Sequence, residues 1–368
     1  MVERTIVHIG LPKTATTYLQ TIFWGNRDLL ATRGLVIPGV ERRDHLWASR
    51  TVREDPNHAK ASAHQRGAWR RVLDDLRSRP GTGLVSHEFF AAASAEQARA
   101  MVEALPGQVE VVVTAREPLG LFAASWQESL KNGATAPMPD YGRTESDRST
   151  DIWDWRTLDL RLVLERWGAA VPPERTHVLV LDPTAPRDDV WHRFVEILGV
   201  DASGVDLSGS FANSSMGVVE AEALRRVNMH LKGFRKAFDK GVYIRTYLAD
   251  ERLVPRRGAR FWPEPDQVED CRRRGELAVE AVRSGGHVVH GDLAHLLVPD
   301  ELEERRSTLS VTDAEVADVL ASLTATMLGD VRRLRRQRRG AAEQATEPGV
   351  REAAATLVRA LRRGARRS

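Results

Sequence analysis

The chain contains one cysteine, Cys271. An internal disulfide needs two cysteines and a cysteine-based zinc cluster needs more, so both are excluded, and a reducing cytoplasm is the expected setting. No stretch of about 18 apolar residues occurs, so no membrane span is expected. No secretory signal is expected either: after Met-Val-Glu-Arg the apolar run covers only residues 6–9 before Pro12 and Lys13. Lysine is scarce: Lys13, Lys60, Lys131, Lys232, Lys236 and Lys240 complete the set, and arginine supplies nearly all the positive charge. A lysine inside a phosphate-type loop therefore stands out. The net charge is only +3, yet residues 331–368 alone carry twelve Arg against three Glu, so the remainder is acidic. Nucleic-acid binding would have to rest on that basic tail, and a nucleic acid is not an expected partner.

At 368 residues the chain can bury a sizeable core. Short apolar, β-branched runs at 4–10, 34–38, 83–86, 109–115 and 176–181 read as strands. The run at 109–115 is apolar nearly throughout, as a strand covered on both faces should be. Helical patterns occupy 14–24, 63–79, 94–105, 118–131, 152–167 and 188–198. Strands alternating with helices predict an α/β fold, a three-layer sandwich with a central parallel sheet. Beyond about 207 the strand signal fades, and 217–238, 265–284 and 312–339 read as helices. The expected organisation is an α/β core over 1–207, a helical extension packed on it over 208–330, and an Arg/Ala-rich tail over 331–368. Asn213, Ser214 and Ser215 read as a helix cap, and Trp153, Trp155 and Trp167 as core.

Residues 10–17 join the first strand to the first helix. The helix start aims unpaired amides outward, Lys13 adds a full charge, and Thr14, Thr16 and Thr17 add hydroxyl donors, so the loop suits a phosphate-type anion. An NTPase P-loop would read G-x-x-x-x-G-K-[ST]; here lysine follows Gly10 by three residues with no second glycine before it. The 109–115 strand also leads into Arg116, where a Walker-B strand would end in Asp for Mg²⁺.

The loop resembles the 5′-phosphosulfate loop, roughly P-K-[ST]-G-T-[ST], of sulfotransferases that use 3′-phosphoadenosine 5′-phosphosulfate (PAPS). It matches at Pro12, Lys13, Thr14, Thr16 and Thr17 and departs at Ala15, where that family has glycine. Because alanine disfavours positive φ, ordinary helical or extended dihedrals are expected at Ala15. The strand leading into Arg116-Glu117-Pro118 is similar to the family's second element, in which an arginine and a serine about eight residues on hold the nucleotide 3′-phosphate. Arg116 would supply the bidentate grip. The serine falls on Ser125, nine residues on, with Ala124 at eight, so Ser125 is offset by about 100° of helix. The resemblance covers the first 200 residues and is closest to bacterial sulfotransferase-like proteins. It implies a cytoplasmic enzyme moving a sulfuryl group from PAPS to a hydroxyl or amine, with no metal required. The acceptor would be a small molecule or a carbohydrate.

Such a transfer needs a base for the acceptor's proton. The family's histidine position after the third strand falls on Glu88, the first candidate, beside His87. Partial burial is expected to raise its pKa. His45, after the second strand, is the second candidate. Two other classes stay open: a P-loop kinase using a nucleotide triphosphate, and a non-catalytic protein binding nucleotide or nucleic acid through the tail.

Overall fold

A computed structural model describes residues 1–209 and 215–345. Asn213, Ser214 and the tail beyond 345 lie outside the described residues. The strands are β1 (Arg4–His8), β2 (Leu35–Val36), β3 (Thr82–Ser86), β4 (Gln108–Ala115), β5 (Thr176–Val180), β6 (Phe261–Trp262), β7 (Val288–His290) and β8 (Arg306–Ser307). Six of them form one parallel sheet in the order β2-β3-β1-β4-β5-β7, and β6 pairs in parallel with β8. The order reverses at β1, so its C-terminal end opens onto a crevice between oppositely directed crossovers, the usual place for a ligand in an open α/β sheet.

The five strands read from the sequence are all in this sheet, and the α/β class holds. Helices cover it because its central strands carry apolar residues on both faces. On one face Ile6, Leu84, Val112 and Leu179 pack with Leu19, Ile22 and Phe23 of helix Thr16–Gly25 and with Trp191, Phe194 and Ile197 of helix Asp189–Leu198. On the other, Val7, Val85, Val111, Val113 and Val178 are fully buried, and Leu76 of helix Ala68–Ser78 closes on Gly83 so tightly that a Cβ there would meet it at 2.4 Å.

The organisation differs from expectation in three places. β7 comes from the stretch read as a helical extension, yet it pairs with β5 at the sheet edge. Its Val-Val-His core is too short and too exposed to show a strand pattern. The chain forms two compact units, Met1–Ser310 and Val311–Ser368. Helix Asp313–Ala345 runs through the start of the supposed tail without a break. The sequence reading also missed helices Arg27–Thr32 and Arg43–Val52 and a 14-residue π-helix over Lys240–Leu253, a winding that is rare at this length.

Phe194 is fully buried and makes edge contacts with the rings of Phe23 (5.4 Å) and His8 (4.9 Å). Phe194→Ala should cost roughly 3–5 kcal/mol through lost burial and an unfilled cavity. Chemical denaturation will read this as a lower midpoint with an unchanged slope.

Candidate functional site

The loop after β1 is held by a buried column of polar side chains crossing three strand ends. His8 and Ser86 are register partners, and His8 Nδ1 lies 2.8 Å from Ser86 Oγ. His8 Nε2 lies 3.1 Å from Thr114 Oγ1, which lies 2.7 Å from Thr14 Oγ1. Thr14 in turn donates to the Leu11 carbonyl at 2.5 Å, and the Leu11 amide donates to the Thr114 carbonyl at 2.7 Å. Burial drives the His8 pKa down to about 3, so this ring is a neutral bridge between hydroxyls.

The column turns the loop sharply. Gly10, Lys13 and Ala15 have φ of 52°, 68° and 61°. The expectation of ordinary dihedrals at Ala15 is therefore wrong: this alanine is left-handed and forms the N-cap of helix Thr16–Gly25. The tertiary bonds on either side outweigh the local preference of an L-residue. No side chain caps the helix, so its first amides remain available for an anion.

The expected site residues separate into those that reach the surface and those that do not. Lys13, Ala15, Thr16, Thr17 and Glu88 line one cleft of about 140 Å³, together with Tyr18, Phe89, Glu128, Trp153 and Arg245. Lys13 and Glu128 also line an adjoining cleft of about 570 Å³ with Arg116, Lys131, Gln127, Arg260 and Arg305. Pro12 and Thr14 are buried beneath the loop, and the Thr14 hydroxyl is committed to the column, so its expected role as a hydroxyl donor to an anion does not hold. Ser125 is fully buried and bonded to the Tyr141 hydroxyl at 2.8 Å, while Ala124 occupies the cleft wall. The offset of one residue on the helix sends the serine inward. Trp155 and Trp167 are core as expected, but Trp153 faces the smaller cleft.

Of the two base candidates, His45 is placed elsewhere. Its Nε2 donates to the Pro38 carbonyl at 2.9 Å and its Nδ1 accepts from the Ser86 amide at 3.1 Å. Burial pushes its pKa down to about 4. With both nitrogens spent on backbone, it pins the loop after β2 to the end of β3 and has no free site for an acceptor proton. Glu88 begins the turn Glu88–Ala92 after β3 and stands against the loop: a Cβ on Gly10 would lie 3.3 Å from Glu88 Cβ. Gln20 Nε2 donates to its carboxylate at 3.1 Å. Burial works to raise the Glu88 pKa, but His87, the residue's own backbone amide, the Gln20 bond and His8 outweigh it, leaving the pKa below the usual value. The expected rise is corrected: this carboxylate is ionised at neutral pH.

The sequence reading missed Glu128, on helix Pro118–Lys131. Its carboxylate is nearly fully buried, pairs with Lys13 Nζ at 3.0 Å and also pairs with Arg245 of the π-helix. Burial opposes its charge, yet Lys13, Arg245 and Lys131 hold its pKa below the usual value. It lies twelve residues past Arg116 in a helix that is buried on most sides, and no local pattern separates it from a surface glutamate. Arg116 is about one third exposed and bonded to Glu117 Oε1 at 2.7 Å, while Glu117 caps its helix through the Gly120 amide. Gly120 permits this: a Cβ there would sit 2.4 Å from the Arg116 guanidinium.

No family model matches the chain, and no curated protein matches it. A solved structure that it is similar to is the crystal structure of a sulfotransferase from Alicyclobacillus acidocaldarius. Identity is 18%, the overlap covers 58% of this chain and 87% of that one, and the TM-score is 0.40. An overlap of that extent carries nothing about the activity of this chain.

The backbone of Ala15 gives a direct test. Ala15→Gly should be neutral or stabilising by up to about 1 kcal/mol, and Ala15→Val should destabilise, because a β-branched side chain fits a left-handed position worst. Thermal midpoints in the order Gly ≥ Ala > Val are expected.

Proposed function

We propose that this protein transfers a sulfuryl group from PAPS to a hydroxyl or amine of a small-molecule or carbohydrate acceptor. One observation carries the reading: Lys13 opens onto both clefts, with Glu88 in the smaller one and Arg116 in the larger. The larger cleft has Lys13, Arg116, Lys131, Arg260 and Arg305 against Glu117 and Glu128, a balance suited to a nucleotide with several phosphate charges. The smaller cleft has the ionised carboxylates of Glu88 and Glu128, the second paired with Lys13 and Arg245, and the rings of Tyr18, Phe89 and Trp153, a setting suited to an acceptor.

In the proposed reaction the acceptor oxygen or nitrogen bonds to sulfur as the bond from sulfur to the bridging oxygen of the donor breaks. The acceptor's proton passes to Glu88. Negative charge grows on the bridging oxygen, and the Lys13 ammonium stabilises it as adenosine 3′,5′-bisphosphate departs. The amides at the start of helix Thr16–Gly25 and the Thr16 and Thr17 hydroxyls hold the phosphosulfate oxygens, and Arg116 holds the 3′-phosphate. An incoming anion competes with Glu128 for Lys13, so Glu128 sets how much of the lysine's charge the donor meets.

Calorimetric titration separates this reading from the nucleotide kinase: adenosine 3′,5′-bisphosphate should bind, and ATP with Mg²⁺ should bind far more weakly. Lys13→Ala should lower transfer by orders of magnitude in a protein that still folds, and Arg116→Ala should weaken the bisphosphate roughly 10- to 150-fold relative to adenosine 5′-phosphate, the worth of a charge-assisted bidentate contact. Equal losses for both nucleotides would remove Arg116 from the 3′-phosphate.

The base has its own pH signature. Since the Glu88 pKa lies below the ordinary 4.5, the wild-type rate should be flat through neutral pH and fall only when acid protonates Glu88 below that value. Glu88→Gln should lower kcat by about 10²–10⁴-fold, leave the bisphosphate affinity nearly intact and abolish the acid limb.

A further inference from the structure

We infer that residues 229–243 form a docking surface for an anionic lipid bilayer. Three of the six lysines in the chain, Lys232, Lys236 and Lys240, fall within nine residues here, joined by Arg235 and opposed by Asp239. Outside the basic tail the chain carries more acidic than basic residues, so this concentration of cationic side chains is local. Among the described residues no carboxylate pairs with any of the three lysines. Between them stand apolar side chains that solvent reaches: Phe238 is 71% exposed, Met229 59%, Tyr243 49% and Val242 39%. Exposed aromatics interleaved with lysines match the bilayer interface, where rings enter the headgroup level and lysine stems lie along apolar surface with their charges outward.

The patch is carried on fixed elements. The π-helix turns Ile244, Leu248, Ala249 and Leu253 inward, so Val242 and Tyr243 belong to its opposite side. Lys131 Nζ pairs with Asp250 at 2.6 Å, and the Asn228 side-chain amide donates to the carbonyls of Leu130 (2.8 Å) and Ala134 (2.9 Å). Phe234 packs edge-on against Tyr243 at 5.8 Å. A nucleic acid would use the cations but leave Phe238, Met229 and Val242 in water; a bilayer uses both. The same helix sends Arg245 into the smaller cleft, so the bound protein would hold that cleft beside the lipid surface.

The test must distinguish this patch from the arginine-rich tail, whose twelve Arg against three Glu would also be drawn to an anionic surface. Cys271 is buried, so an environment-sensitive nitrobenzoxadiazole label on the full-length Phe238→Cys variant reports from the patch alone. Its emission should shift to the blue with vesicles of phosphatidylcholine and phosphatidylglycerol, stay unchanged with phosphatidylcholine alone, and lose the shift at high salt. Lys232→Glu, Lys236→Glu and Lys240→Glu together should weaken that response at least ~100-fold, at about fivefold for each lysine lost. Vesicle sedimentation without a blue shift would assign membrane binding to the tail and overturn the inference. An equal shift with single-stranded DNA, or none with any vesicle, would overturn it as well. The readout is binding, so it stands or falls apart from sulfuryl transfer.

Discussion

The buried column of hydrogen bonds from Ser86 through His8 and Thr114 to Thr14 is the constraint from which the rest of the site follows. Four buried polar side chains, three in the sheet and one in the loop, are tolerated only when each is satisfied, and a fully satisfied network rigidifies what it joins. Here it joins the ends of three strands to the loop that follows β1. Holding that loop down forces Lys13 and Ala15 into left-handed backbone, and the left-handed residue at the helix start leaves the first amides of Thr16–Gly25 uncapped. The local strain, about 1–2 kcal/mol for each non-glycine residue, is offset by the burial of Leu11, Leu19 and Phe23 around it.

Electrostatics then divides the surface above the loop. Lys13 faces two clefts at once and is partnered by Glu128, which is itself tied to Arg245. A buried carboxylate between cations keeps its charge despite desolvation, and its ion pair holds the lysine in place. The pairing couples helix Pro118–Lys131 to the π-helix, and through them the larger cleft to the proposed lipid-facing segment. His45 shows the complementary case: a histidine beside the site whose two nitrogens serve the backbone and whose burial keeps it neutral.

The residues legible in advance were those whose neighbours in sequence define their role. Lys13, Thr16 and Thr17 follow a buried strand and open a helix, so local pattern placed them at the end of the sheet. Arg116 and Glu88 were singled out by the family resemblance, and both line the clefts beside Lys13. The one-residue offset of Ser125 was visible in the sequence, but the burial of Thr14 was not, because it depends on bonds to Thr114 about 100 residues away. The left-handed alanine was missed because the loop before it is held by bonds from the Ile9 and Leu11 amides to the Val112 and Thr114 carbonyls, about 100 residues away.

Alternating apolar strands and helices, the lysine loop and the arginine after β4 are set by periodicity and adjacency, which depend on a few neighbouring residues. The α/β class and five of the six sheet strands were therefore determined by the sequence itself. The sixth strand, the π-helix, the partnership of Glu128 with Lys13 and Arg245, and the ionised state of Glu88 were decided only by tertiary structure. Each depends on a contact between segments far apart in the chain: β7 forms because β5 offers it an edge, and the two glutamates keep their charge because distant residues surround them.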